Sequence, residues 1–290
     1  MKRTYLLLPV ILFLATAAAM AQPYKIKMDR PLKAGQKFSV ITLMQSRQTI
    51  MVSSGLTPVS HEDSTLRMYV LADGEVIAAE PLQIRYEIFQ CLKFIGHDTV
   101  EIVSPGTQVI RIGEKENKKF TIVEGTGTVT PEAMADLEDV IGAFNNGDAD
   151  ENFGTTKPQL VGGTWKINTR KAVRDFSSRD GMVINEKDMV GTAKLIGLST
   201  MNDIQTYKIL ADIEIKKMQL PGLEAFDKHN AAAIVKFEGH YPLDEKMGMV
   251  KANLMMMMDI DGSRKAQDGA PEMTLKGQIS RTQSIEYTYQ

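Results

Sequence analysis

The feature that most narrows the folds open to this chain is a two-residue alternation in its last third. Tyr207, Ile209, Ala211, Ile213 and Ile215 interleave with Thr206, Lys208, Asp212, Glu214 and Lys216. Successive side chains of a strand point to opposite sides, so this segment has one greasy face and one wet face. Ala233, Val235, Phe237 and Tyr241 repeat the pattern. Val250, Ala252, Leu254, Met256, Met258 and Ile260 continue it, and Leu275, Ile279, Ile285, Tyr287 and Tyr289 end the chain in the same way. Turns at Pro242 to Lys246 and at Asp261-Gly262 are expected to join these strands into an antiparallel meander, which twists and curls.

Ahead of the meander the signal comes in shorter pieces. A strand is predicted over Phe38 to Val52 and a loop over Ser53 to Asp63. A short strand over Leu66 to Leu71, a turn at Asp73-Gly74 and a strand over Glu75 to Ala79 follow. Leu82, Ile84, Tyr86, Ile88, Leu92 and Phe94 share one parity, which predicts a half-buried strand, with further strands at Thr99 to Val103, Gln108 to Ile112 and Phe120 to Val123. Leu32-Lys33-Ala34-Gly35 and Leu160-Val161-Gly162-Gly163 each introduce a strand with an early aromatic, but Phe38 stands three residues past Gly35 and Trp165 two past Gly163. The echo is either a two-lobe repeat or a recurring way of turning into a strand.

Between the two β-rich halves lies one amphipathic helix. Thr130 can cap an exposed backbone N–H, Pro131 suits the first helical position, and Glu132 favours the positive end of the dipole. Met134, Leu137, Val140, Ile141 and Phe144 share a face, and Asn145, Asn146 and Gly147 stop the helix. A lone apolar stripe in a strand-patterned chain must rest on a sheet or across its open mouth.

The N-terminus carries Lys2 and Arg3, an apolar run from Tyr5 to Leu14, and Ala19 and Ala21 before Gln22. This is the pattern of a signal peptide cleaved after Ala21. The run is shorter than the roughly 20 residues a bilayer span needs, so the expectation is an exported chain, periplasmic or secreted, with no transmembrane segment once processed. The formal charge of −2 becomes −4 without the positive Lys2 and Arg3, and charges of both signs are interspersed. No electrostatic footprint for nucleic acid results. Cys91, the only cysteine, stands among Phe89, Leu92, Phe94 and Ile95, where burial is expected.

Catalytic and metal-binding patterns are weak. His61, His97, His229 and His240 are scattered without metal spacing, G-x-S-x-G is absent, and Gly125-Thr126-Gly127 lacks the context of a phosphate loop. Asn146, Asp148 and Asp150 alternate like the first ligands of a calcium loop, but Glu151 replaces the required glycine and Lys157 the final bidentate glutamate. A solvated acidic loop is the expectation there. Neither a cofactor nor a metal is expected. The run Met255 to Met258 could hold Cu(I), yet alternation sends Met256 and Met258 to the core side and Met255 and Met257 to the other. Core filling and an adaptable apolar surface remain as readings of these thioethers.

The chain resembles a family of secreted bacterial proteins known only as a domain of unknown function. The resemblance rests on the signal peptide, the L-x-x-G-x-x-F segment Leu32 to Phe38, the T-P-E-A-M helix start and the L-V-G-G-T-W segment Leu160 to Trp165. It brings no catalytic residues. The architecture is also distantly similar to periplasmic lipoprotein and lipid carriers. The expected fold is mainly β, with one or two curled antiparallel sheets, open-barrel or cradle-like, and one central amphipathic helix. The expected division is a signal peptide over 1–21, a β-rich half over 22–130, a helix and acidic linker over 131–157, and the meander over 158–290. The leading expected function is a non-catalytic binding protein that holds a lipid, another apolar ligand or a partner's apolar segment on a concave face. Met134, Leu137, Ile141, Phe144, Trp165, Met256 and Met258 are the candidate lining. The competing expectation is an assembly module that pairs its sheet edges with an envelope protein.

Overall fold

The computed structural model describes residues 22–30, 32–113, 118–124, 129–141, 149–177, 182–266 and 271–290. Its strands are β1 (Lys37–Ser54), β2 (Thr57–Ala79), β3 (Leu82–Ile95), β4 (Asp98–Glu101), β5 (Thr107–Gly113), β6 (Lys118–Glu124), β7 (Thr164–Lys166), β8 (Val183–Ile184), β9 (Met189–Met201), β10 (Ile204–Gln219), β11 (Lys228–Pro242), β12 (Lys251–Arg264) and β13 (Met273–Tyr289). Three helices interrupt them, α1 (Pro131–Ile141), α2 (Ala149–Phe153) and α3 (Thr169–Ser177). All thirteen strands belong to one sheet, ordered β6-β5-β3-β2-β1-β13-β12-β11-β10-β9-β7, with β4 beside β3 and β8 beside β10. Two antiparallel meanders therefore spread from a seam where β1 pairs with β13, from Phe38↔Tyr289 to Ser54↔Met273. β6 and β7 lie at opposite ends, and the sheet does not close.

One face of the sheet carries two cores. The first gathers Phe38, Val70, Ile84, Tyr86 and Ile285 beneath Ala133, Leu137, Val140 and Ile141 of α1. The second gathers Ile209, Ile213, Val235 and Met258 with Ala172 of α3 and with Ile26 and Met28 from the segment ahead of β1. The seam strands serve both: Phe38 and Ile285 sit in the first core, while Ile50, Val52, Leu275 and Ile279 pack on the second. Helix α1 starts as its sequence requires, with the Thr130 hydroxyl accepting from the Ala133 N–H at 3.1 Å. At its far end the buried Gln283 amide donates to the Val140 carbonyl at 3.1 Å, which satisfies a backbone acceptor that the helix leaves open.

Several local expectations are corrected. Asp73-Gly74 and Asp261-Gly262 are not turns but lie inside β2 and β12. A Cβ on Gly74 would collide with the Phe38 ring, and one on Gly262 would stand 3.0 Å from Phe226. Both glycines exist because an aromatic ring crosses the strand there. The loop expected over Ser53 to Asp63 is a tight turn followed by β2, which begins at Thr57. In β3 a register shift opposite Leu71/Ala72 breaks the parity, so Cys91 is buried in place of Leu92 and Phe94. The acidic linker is not simply solvated: Asp29 accepts from the Ala149 and Asp150 N–H groups at 2.8 and 3.0 Å, capping α2, and Asp150 accepts from the Met28 N–H at 2.6 Å.

The echo between the halves is closer in space than in sequence. Gly35 and Gly162 both have left-handed backbone, with φ of 83° and 87°. Each is the third residue of the same kind of turn, closed by Gln36 N–H to Lys33 O at 3.0 Å and Gly163 N–H to Leu160 O at 2.8 Å. The Gly35 N–H donates to Val76 O and the Gly162 N–H to Leu195 O, both at 2.7 Å. Counted from the left-handed glycine, Phe38 and Trp165 occupy the same position, so the apparent offset came from aligning on Gly163.

Candidate functional site

The structure separates the expected lining residues. Leu137 and Ile141 are buried in the first core and Met134 is half-buried beside them. Trp165 and Met256 are partly buried against the second core, which includes Met258. Phe144 lies outside the described residues. The Trp165 indole N–H donates to the Phe153 carbonyl at 2.7 Å, which ties β7 to α2. The helix stripe is thus consumed in packing, and the face beneath α1 is a filled core, not an open groove.

The open concavity is on the other face. Residues from β2, β1, β13, β12, β11 and β10 line one cavity of about 610 Å³. These six strands are consecutive in the sheet, so the cavity runs across it from β2 to β10. Leu43, Gln45, Arg67, Leu210, Lys236 and Met255 hold positions of the parity opposite to the cores, and their side chains face this hollow. Leu43 is 52% exposed, and Met255 and Leu210 are partly exposed. These three apolar side chains stand where alternation calls for polar ones.

One end of the hollow is charged and internally satisfied. Glu238 meets Lys208 Nζ at 2.7 Å and His240 Nε2 at 3.0 Å, and the Asn253 amide reaches it at 3.5 Å. Burial alone would raise the Glu238 carboxyl, but the hydrogen bonds from Lys208 and His240 outweigh it and hold the group below the ordinary carboxylate value. Ser199 Oγ lies 2.9 Å from Thr206 Oγ1 and 3.5 Å from His240 Nδ1. Sequence reading passed over this cluster because positions 199, 206, 208, 238, 240 and 253 come from four strands. Only the i, i+2 spacing of Glu238 and His240 was visible in the chain. On the covered face, burial and then the charge of Asp136 push the Cys91 thiol up to about 12, which makes it inert at neutral pH.

No protein-family model matches the chain, and no curated protein matches it. Among solved structures it is similar to lipovitellin, from work on its lipid-protein interactions, at 9% identity and a TM-score of 0.46 over 89% of this chain. The chain spans 26% of the length of that structure. It is also similar to OpdQ of Pseudomonas aeruginosa (8% identity, TM-score 0.25, 87% of this chain and 98% of the other). A LolA superfamily protein of Nitrosomonas europaea gives 8% identity and a TM-score of 0.14 over 86% of this chain and 87% of the other. Among the described residues no helix is long and apolar enough to cross a membrane.

Proposed function

We propose that this is an exported, non-catalytic binding protein that holds an apolar ligand on the uncovered face of its sheet. The supporting observation is the hollow of about 610 Å³ with Leu43, Leu210 and Met255 turned into it. That volume falls within the roughly 300–1,000 Å³ of small-molecule sites. The cores on the opposite face are complete without these side chains, so their apolar surface is not a packing requirement of the fold.

Native mass spectrometry of protein purified without detergent tests this reading. An adduct is expected, together with hydrophobic-dye binding that Met255→Asp abolishes while the fold stays intact. Absence of both adduct and dye binding sinks it. A second reading, assembly by strand addition, is favoured by the first nine residues of β2. They pair with β1 on one side, and contact with β3 begins only at Leu66. Pro58 and the register shift at Val52/Ser53 blunt that edge. Crosslinking in cells to a discrete protein, with no bound apolar molecule, would favour it.

A further inference from the structure

Four consecutive methionines, Met255 to Met258, alternate between the two faces of β12. Met258 is 5% exposed in the second core, and Met256 packs against that core. Met255 lines the hollow and is half-buried, and Met257 is 38% exposed on the same face. An oxidant in solution therefore reaches two thioethers of the run and meets packed side chains around the other two.

The neighbours of the two accessible thioethers differ. Across the ladder Met255 stands between Lys236 on β11 and Thr282 on β13, and Met257 between Ile234 and Ser280. Directly opposed residues have Cβ atoms about 4.5–5.5 Å apart, within reach of long side chains. Both neighbours of Met255 carry hydrogen-bond donors. A thioether is a weak acceptor and uses such donors little, whereas the sulfoxide that oxidation makes of it is polar and can accept from them. An ammonium has three N–H groups, so Lys236 can serve that oxygen even with Asp212 in register on its other side.

We propose that Met255 is an oxidation site, its co-reactant a peroxide, and that its oxidation lowers the affinity of the hollow for apolar ligands. The sulfur lone pair attacks one peroxide oxygen, and the O–O bond breaks as the S–O bond forms. The departing hydroxide takes the proton left on the transferred oxygen and becomes water. Sulfur loses two electrons and the peroxide gains them. One of the three apolar side chains in the hollow is thereby replaced by a polar one held by Lys236 and Thr282. This assignment rests on the binding function proposed above and adds its regulation.

Hydrogen peroxide treatment of the folded, full processed chain, read by peptide mass mapping and by hydrophobic-dye titration, tests it. Met255 and Met257 are expected to gain oxygen first, and Met256 and Met258 to follow only in urea. Dye binding should weaken about tenfold in step with oxidation of Met255. Met255→Leu, whatever its starting affinity, should bind the dye equally before and after treatment, and Met257→Leu should remain sensitive. Circular dichroism checks that each treated sample stays folded. If Met256 or Met258 oxidises as fast as Met255 in the folded chain, the assigned site is wrong. If Met255 is oxidised and dye binding holds, or Met255→Leu loses binding as the parent does, the regulation is wrong while the binding function stands. If the untreated parent binds no dye, the binding function falls and takes its regulation with it.

Discussion

Replacing Leu137 with alanine tests how the whole sheet is held together. Leu137 is fully buried on the inward face of α1, between Ala133 and Ile141, over Phe38, Val70 and Ile84. Removing its isobutyl group costs the lost transfer energy plus the cavity left behind, about 3–4 kcal/mol in a packed core. At a slope of roughly 2–3 kcal/mol per molar urea, the unfolding midpoint should fall by about 1–2 M. Glu138→Ala, on the exposed side of the same helix, should change stability by no more than about 0.5 kcal/mol. Trp165, the only tryptophan, reports from the second core, far along the sheet order from β2 and β3. β1 and β13 run through both cores, so Leu137→Ala should shift the Trp165 fluorescence transition and the far-ultraviolet circular dichroism transition together. A Trp165 midpoint unmoved while dichroism becomes biphasic would refute the argument that the seam couples the two halves.

Three further outcomes follow from particular contacts. Gly74→Ala should destabilise by about 1–3 kcal/mol, because the Phe38 ring that a Cβ would strike is held edge-on by Tyr86, Tyr287 and Tyr289. Combining it with Phe38→Ala should cost less than the sum of the two in urea titrations, and strict additivity would contradict the contact. The lowered Glu238 carboxyl contributes stability that is present above the ordinary glutamate value of about 4.3 and is lost as pH falls through its lower folded value. Glu238→Gln should flatten the acid side of the stability profile measured by thermal melts, and an unchanged slope would remove the assigned role of Lys208 and His240. Cys91, with its thiol pushed up to about 12 and its side chain buried, should resist a thiol reagent at pH 8 and react at once in urea. Stoichiometric labelling of the native protein within seconds would show that this core is not packed as described.

What could be read in the chain depended on how many residues shared a signal. The strands β10 to β13 are visible because long runs alternate strictly, and α1 because cap, proline and stripe agree. Asp73-Gly74 and Asp261-Gly262 misled because a glycine that makes room for a ring has the same local signature as a glycine that makes a turn. Which of the two applies depends on Phe38 and Phe226, both more than 30 residues away. Capping of α2 by Asp29 was hidden for the same reason, since a helix of five residues has no periodicity to show and its partner lies 120 positions upstream.

In an ideal alternating strand the outward residues are polar, and an apolar residue on that side reads as noise when each strand is taken alone. Leu43, Met255 and Leu210 are three such exceptions on β1, β12 and β10, separated by β13 and β11, and pairing brings them around one cavity. Their ladder partners are Ser284 and Tyr69 beside Leu43, Thr282 and Lys236 beside Met255, and Glu238 and Lys194 beside Leu210. Three exceptions to alternation therefore line the hollow, whereas the alternation itself describes the two cores on the far side. Leu137, Ile141, Trp165, Met256 and Met258, expected as lining, obey the alternation or the helix stripe and therefore lie in or against the two cores on the covered face.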